Sequence, residues 1–110
     1  TDAMPPVGSD NPEYVLNGQT IVVKDGVCQS DAGVLAGSAL DMATGLRNLV
    51  QMVGVPLAEA SRMASAYPAD WIGLAATHGR IVAGQRADLV LLDESLVVHG
   101  SWIGGAFAAA

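Results

Sequence analysis

The stretch EYVLNGQTIVVKDGVCQS, residues 13–30, decides how the first third of the chain folds. It contains three short apolar runs, which are separated by the dipeptides Asn17-Gly18 and Asp25-Gly26. Asn-Gly and Asp-Gly supply the positive φ angles that two-residue hairpin turns require, and the β-branched residues of the middle run suit a pleated sheet. The pattern therefore predicts a small antiparallel meander over residues 13–30.

Upstream of the meander, residues 1–6 (TDAMPP) contain a carboxylate that is followed by small and apolar residues and two prolines. This order is typical of a strand that ends in a loop, and reacting groups lie at such strand ends in barrel enzymes. Asp2 is therefore a candidate catalytic residue. The competing interpretation is an ordinary exposed aspartate, since most surface aspartates take part in no chemistry.

Helical periodicity begins after the meander. Residues 31–37 are predicted to form a glycine-punctuated loop that leads to Ser38, the expected N-cap of a helix. Apolar residues at steps of three and four continue this helix toward Gly54, where it is expected to stop. A second helix is predicted over residues 57–66. Pro68 is expected to end it, and it can also open the next helical turn at its first position.

The last third of the chain is predicted to contain strands. Residues 87–92 are a nearly continuous apolar run, which indicates a strand buried on both faces. Two further strands are predicted over residues 96–99 and 101–103, and residues 108–110 show no pattern. Amphipathic helices in series with such strands favour the outer part of a larger α/β fold over a helical bundle.

The composition excludes several classes of protein. Apolar residues make up 51% of the 110 residues and charged residues 15%, which is too apolar for a disordered chain. The net charge of −6 argues against a nucleic-acid partner, which needs a basic surface. The one cysteine cannot form an internal disulfide, and neither a signal peptide nor an apolar run of about 18 residues is visible. We therefore expect a cytoplasmic protein without a membrane partner, whose apolar faces pack against further protein.

Few other side chains form a pattern that indicates chemistry. His78 and His99 lie far apart and have no second ligand at helical spacing, so both are interpreted as surface histidines. Cys28 is interpreted as a packed thiol, and Arg47 is expected to be solvated. Packing roles are also expected for a further set of large residues: Met42, Met52, Met63, Trp71 and Trp102. On these residues alone, a non-catalytic α/β interaction module is a sufficient interpretation.

Longer motifs resemble known enzymes. GRIVAGQRADLVLLD, residues 79–93, resembles the closing signature of the amidohydrolase superfamily. Further segments are similar to the N-acetylglucosamine-6-phosphate deacetylases of that superfamily: TDAMPPVG at 1–8, LAGSAL at 35–40, RNLV at 47–50, RMASAYPA at 62–69 and WIGG at 102–105. The resemblance extends over essentially the whole chain. Another hydrolase of the superfamily, such as a dihydroorotase or deaminase relative, is the alternative within this class.

The resemblance implies an α/β fold that is the C-terminal part of a (β/α)8 TIM-like metallo-dependent hydrolase barrel, with strands of a small β-sandwich domain. Residues 1–78 would hold the end of the last barrel strand, the meander as an insertion and the helices that flank the barrel. Residues 79–110 would form strands of the β-sandwich. The chain would then be a fragment of a longer enzyme that is a homodimer when intact.

The resemblance also implies the chemistry. The family hydrolyses the acetamide of N-acetylglucosamine 6-phosphate to glucosamine 6-phosphate and acetate, with a divalent metal of the zinc or iron class. Its strand-end aspartate, matched here by Asp2, takes a proton from the attacking water and later gives it to the leaving amine. The backbone of Leu35, Ala36 and Gly37 matches the loop that contacts the sugar. The family's metal ligands have no counterpart in this chain, so we expect the chain to be inactive alone.

Overall fold

The computed structural model describes residues 1–110, which divide into two compact units, Thr1–Gly45 and Leu46–Ala110. None of the helices combines the length and the apolar character that a membrane crossing requires. The boundary expected between residues 78 and 79 concerns the domains of a larger barrel, and it stays a prediction.

The first unit is built on an antiparallel sheet whose four strands follow one another in chain order. Both predicted turns are present: Asn17 and Gly18 have φ angles of 52° and 78°, and Asp25 and Gly26 have the same two values. These left-handed pairs match the twist of the strands that they connect, so the predicted meander is confirmed. The strands are β1 (Glu13–Leu16), β2 (Gln19–Lys24), β3 (Val27–Ser30) and β4 (Leu35–Ser38).

Strand β4 occupies the end of the segment that was predicted to be a loop over residues 31–37. It pairs with β3 through an irregular ladder, and its last residue, Ser38, pairs in parallel with Ala3. The sequence LAGS has little strand propensity, because glycine and alanine are depleted in strands. Pairing with residues that are distant in sequence, rather than local preference, therefore makes this segment a strand.

Helix α1 (Met42–Gln51) begins later than predicted, and the expected N-cap, Ser38, is wrong because Ser38 belongs to β4. The capping residue is Asp41. Its Oδ1 accepts a 2.8 Å hydrogen bond from the Thr44 backbone N–H, and its Oδ2 accepts a 2.6 Å bond from the Thr44 hydroxyl. These bonds satisfy one of the free N–H groups of the first helical turn. The helix ends before Gly54, which has a φ of 81°.

The second unit contains one continuous helical run, which includes a π-helical turn. Pro68 does not end this run, so that part of the prediction is wrong. Its other predicted position, at the opening of the next helix, is confirmed, and there the missing N–H of proline is tolerated. The run consists of α2 (Leu57–Ser61), the π turn (Arg62–Ala66) and α3 (Tyr67–Trp71).

The second unit also contains a three-stranded antiparallel sheet in the order β5-β6-β7. Its strands are β5 (Leu89–Leu92), β6 (Val98–Ile103) and β7 (Ala106–Ala109). The two strands predicted over residues 96–99 and 101–103 are thus one strand, and β7 was not predicted because its alanines give no strand signal. The expected burial of residues 87–92 on both faces is also wrong for this chain, since Val90 and Leu91 are exposed.

Few residues are buried. Apart from one proline, Pro6, and two glycines, they are Ile21, Cys28, Ala60, Ala66, Ala69 and Leu96. The prediction of a packed Cys28 is confirmed, and Trp102 packs against Phe107 with ring centroids 4.8 Å apart. The packing roles predicted for Met42, Met52, Met63 and Trp71 are wrong within these residues, because all four side chains are exposed and Trp71 is 89% exposed.

Candidate active site

The residues that the sequence predicted for catalysis and for substrate binding lie side by side in the first unit. The Ser38 N–H donates to the Asp2 carbonyl at 2.9 Å, and the Met4 N–H donates to the Ser38 carbonyl at 2.9 Å. The Ser38 hydroxyl donates to the Thr1 carbonyl at 2.6 Å. These bonds attach the first four residues to the end of β4, so Asp2 directly flanks the segment that contains Leu35, Ala36 and Gly37.

Asp2 combines an exposed side chain with an unusual backbone conformation. Its φ of 56° is uncommon for residues other than glycine, although aspartate tolerates it better than most. Asn17 and Asp25 have similar angles because they lie in hairpin turns, whereas Asp2 lies beside a parallel bridge. Such conformations are concentrated at functional positions, and the exposed carboxylate is accessible to water or a ligand.

Gly37 is the residue of the substrate segment whose identity the backbone requires. Its φ of 112° is a conformation that residues with side chains rarely adopt. A Cβ atom at this position would overlap the Met4 side chain and would lie 3.1 Å from the Asp2 carbonyl oxygen. The lack of a side chain at Gly37 therefore allows the residues around Asp2 to approach β4.

A tyrosine side chain also hydrogen-bonds to the segment that contains Leu35, Ala36 and Gly37. The Tyr14 hydroxyl donates a 3.1 Å hydrogen bond to the Ala36 carbonyl. Tyr14 pairs with Ile21 in the sheet, and Ile21 is almost fully buried. The sequence pattern predicted Tyr14 only as a strand residue. The available signal was that Tyr14 and Ile21 share one face, which indicates the inner face of the meander.

The hydroxyl of Tyr14 is protonated at neutral pH. Burial raises the pKa of Tyr14 above its usual value of 10.0, and the neighbouring Cys28 thiol and then the Asp2 carboxylate raise it further. Each of these causes disfavours the phenolate, because an anion is costly in a dry or negative environment. Tyr14 is therefore a stable hydrogen-bond donor to Ala36, and its carboxylate neighbour is Asp2.

A shallow groove of about 260 Å³ lies on the same face of the meander and includes two of the predicted substrate residues. Most of its exposed wall is apolar, and the polar side chains of Asn17, Gln19 and Ser30 also line it. Such a mixed surface suits a ligand with both a methyl or ring face and hydroxyl groups. The residues that line it are Leu16, Asn17, Gln19, Ile21, Ser30, Val34, Leu35 and Ala36.

The resemblance implies a divalent metal, and the residues present do not form a site for one. No group of three or more His, Cys, Asp or Glu side chains comes close enough together within residues 1–110 to hold a metal ion. A zinc or iron centre ordinarily needs three or four such ligands. The residues around Asp2 therefore do not supply the ligands that a metal ion needs. We assign no chemical step of this chain to a metal.

The histidines and Arg47 belong to the second unit, and each has a local partner there. His99 Nε2 lies 3.1 Å from Asp93 Oδ2, and His78 Nε2 lies 3.9 Å from Asp88 Oδ2. Both histidine side chains reach the surface, His99 at 57% exposure and His78 at 37%, in line with the surface roles predicted for them. Arg47 was expected to be solvated, and this is wrong: its Nη2 donates to the Leu96 carbonyl at 3.0 Å, and its Nε is buried.

Comparison with known proteins assigns the chain to a family. The model of the amidohydrolase family matches residues 8–107. The chain belongs to the amidohydrolase family. Solved structures of deacetylases from this comparison share its α/β fold: the N-acetylglucosamine-6-phosphate deacetylase of Pasteurella multocida superposes with a TM-score of 0.94 at 37% identity, covering 100% of this chain and 29% of that chain.

Two further proteins to which this amidohydrolase chain is similar are named as deacetylases of phosphorylated amino sugars. The N-acetylgalactosamine-6-phosphate deacetylase of Escherichia coli O157:H7 is 39% identical over 109 residues, which are 99% of this chain and 29% of the relative. A mutant of the Mycobacterium smegmatis deacetylase, solved in complex with N-acetyl-D-glucosamine-6-phosphate, gives a TM-score of 0.80 at 32% identity and covers 98% of this chain and 29% of that chain. The chain thus spans less than a third of the length of these relatives.

Proposed function

We propose that this chain is part of an amidohydrolase that removes the acetyl group from N-acetylglucosamine 6-phosphate. The observation that carries the proposal is the attachment of the first residues to β4, through the 2.9 Å bonds that join Ser38 to Asp2 and to Met4. It brings an exposed carboxylate next to a segment whose first residue, Leu35, is also exposed. The relatives that the chain resembles are deacetylases of phosphorylated amino sugars.

In the proposed reaction, Asp2 moves one proton. The carboxylate accepts a proton from the attacking water as the water oxygen bonds to the acetyl carbon. It then donates that proton to the amide nitrogen as the C–N bond breaks, which releases acetate and the free amine. One carboxylate suits both transfers because the attacking oxygen and the leaving nitrogen are bound to the same carbon. Acid–base help of this kind is typically worth about 10²–10⁴ in rate.

Sugar binding is proposed for Leu35, Ala36 and Gly37. The Leu35 side chain is exposed and Ala36 is half-buried, whereas Gly37 is buried and would contribute only through its backbone, because Met4 fills the space beside it. Backbone groups hydrogen-bond sugar hydroxyls, and the apolar wall of the adjacent groove suits the less polar parts of the sugar. These residues would orient the acetamide relative to Asp2.

The proposed barrel, β-sandwich, metal and homodimer concern the longer protein of which we propose this chain is part. Residues 1–78 would contribute the end of the last strand of a (β/α)8 barrel, the meander and flanking helices, and residues 79–110 strands of a β-sandwich. A divalent metal of the zinc or iron class would be held by residues other than those described here. A cytoplasmic homodimer is the proposed state of that protein.

The test is an Asp2→Asn substitution in the full-length protein, assayed for acetate release from N-acetylglucosamine 6-phosphate. We expect kcat to fall about 10²–10⁴-fold, with the metal content of the purified protein unchanged. Asp10→Asn is the matched control, because Asp10 is an exposed aspartate of the same unit outside the site. A rate near wild type for Asp2→Asn would remove Asp2 from the mechanism. An inactive wild-type protein would overturn the deacetylase proposal and favour a binding module.

The galactose epimer is a second candidate substrate. It is favoured by the 39% identity to an N-acetylgalactosamine-6-phosphate deacetylase, which is slightly above the 37% identity to the Pasteurella multocida glucosamine enzyme. The two sugars differ only in the direction of one hydroxyl. Comparing kcat/KM for the two phosphates on the same full-length protein decides between them, because that ratio measures discrimination directly.

A further inference from the structure

Tyr14 joins two strands that are not neighbours in the sheet. The strand order is β1-β2-β3-β4, so Tyr14 on β1 and Ala36 on β4 belong to opposite ends of the series. In a flat sheet three strand spacings would separate them by about 14 Å, which is more than a tyrosine side chain spans. The 3.1 Å bond from the Tyr14 hydroxyl to the Ala36 carbonyl therefore requires the sheet to curl so that its two ends approach each other.

The bond acts on a segment that is held at few other points. The ladder between β3 and β4 is irregular, with paired residues only at Gln29–Leu35 and Val27–Ser38. Ala36 and Gly37 lie inside this irregularity, and Gly37 brings no side chain that could anchor it. The Tyr14 hydroxyl is thus a specific constraint on the Ala36 carbonyl, in addition to the backbone bonds between Ser38 and Asp2.

We propose that Tyr14 is a positioning residue, which fixes the Ala36–Gly37 backbone in the conformation that binds the sugar. This inference rests on the proposed deacetylase function. Tyr14 does not touch the reacting atoms in this scheme, since its hydroxyl is engaged by Ala36. The protonated state of the phenol, which its buried and negative surroundings stabilise, keeps the donor in place through the neutral pH range.

The test is Tyr14→Phe, which removes the hydroxyl and keeps the ring on the inner face of the sheet. We expect KM for the sugar phosphate to rise about fivefold, the factor equivalent to one ordinary hydrogen bond, while kcat stays within about twofold because the acid–base group is untouched. Tyr67→Phe is the matched control. Its hydroxyl donates a similar 2.9 Å bond to Glu59 in the second unit, so its loss should leave KM unchanged.

Amide hydrogen exchange on the full-length protein provides a readout that needs no substrate. We expect Tyr14→Phe to speed exchange in the peptide that covers residues 35–38, where the Ser38 N–H bonds to the Asp2 carbonyl, and Tyr67→Phe to leave it unchanged. Unchanged exchange, or an unchanged KM, would overturn the proposal, as would a fall in kcat comparable to the rise in KM. If the wild type hydrolyses neither sugar phosphate, the proposed function fails, and the exchange rates still decide whether Tyr14 fixes β4.

Discussion

At the scale of single residues, two neighbouring positions of the candidate site adopt left-handed backbone conformations. Asp2 has a φ of 56° and Gly37 a φ of 112°. For Asp2 this conformation costs free energy, of the order of 1–3 kcal/mol for a residue with a side chain, and the bonds to Ser38 offset that cost. For Gly37 the conformation costs little free energy, but residues with a side chain rarely adopt it, so few substitutions are tolerated at this position. The site thus depends on a strained backbone at Asp2 and on a glycine at position 37, whose lack of a side chain lets the residues around Asp2 pack against β4.

Gly37→Ala should distinguish the crowding around position 37 from the strain that any residue with a side chain experiences at positive φ. The added Cβ would overlap Met4 and crowd the Asp2 carbonyl, so we expect the free energy of unfolding to fall by about 1–3 kcal/mol beyond the strain of the left-handed conformation. Gly33→Ala is the matched control, since Gly33 has a φ of 75° and open space around it. Urea unfolding of the two variants of the full-length protein gives the difference. Equal losses in both variants would contradict the crowding seen at Gly37.

At the scale of elements, the features that the sequence predicts are the ones that local chemistry dictates. Asn17-Gly18 and Asp25-Gly26 each encode a turn by themselves, so the meander is predictable from residues 13–30. Strand β4 is not, because LAGS becomes a strand only by pairing with β3 and with Ala3. The wrong prediction at Ser38 follows from this. A serine before a helical pattern is normally an N-cap, but Ser38 pairs with Ala3 and with β3 and is therefore part of a strand.

The candidate site divides in the same way. Asp2, Leu35, Ala36 and Gly37 were predicted from the resemblance to a family, and their proximity is visible only in the structure, because it depends on a bridge between Ala3 and Ser38. Tyr14 was missed, since its bond to Ala36 spans 22 positions in sequence and crosses the face of a curled sheet. No periodicity in a short strand reports such a contact.

The start of helix α1 should be sensitive to acid. Hydrogen bonds from Thr44, first through its hydroxyl and then through its backbone N–H, hold the pKa of Asp41 below the usual value of 3.8. A lowered pKa in the folded state means that the ionised cap stabilises the fold above the unfolded pKa of about 3.9, and that this contribution is lost as the pH falls through the lower folded value.

The measurement is urea unfolding of wild type and Asp41→Asn between pH 7 and pH 3, with Asp41→Ala as the variant without a cap. Asparagine keeps a capping oxygen that does not titrate. We expect the free energy of unfolding of wild type to exceed that of Asp41→Asn by a constant amount above about pH 5, and this difference to shrink below about pH 4. Asp41→Ala should lose about 0.5–2 kcal/mol at neutral pH. A wild-type advantage that persists unchanged to pH 3 would contradict the role of the ionised cap.

At the scale of the whole molecule, the described residues leave most of their large apolar side chains uncovered. Apart from proline and glycine, only six apolar residues are buried, and three of them are alanines. By contrast Trp71, Ile81 and Met52 are 89%, 88% and 78% exposed. Scattered apolar residues are normal on a surface, but this set includes faces of both helices and strands. Such a surface is typical of a chain that packs against further protein.

Residues 1–110 expressed alone should therefore self-associate. Uncovered apolar area is driven out of water at about 25 cal/mol per Å², so we expect sedimentation coefficients that rise with protein concentration, together with strong binding of a dye that reports exposed apolar surface. The same preparation, supplied with zinc, should not release acetate from N-acetylglucosamine 6-phosphate, because these residues form no metal centre. The full-length protein is the control for both measurements. A monodisperse monomer that binds no dye would show that the exposed faces need no cover, and turnover above background would show that Asp2 and its neighbours suffice for the reaction.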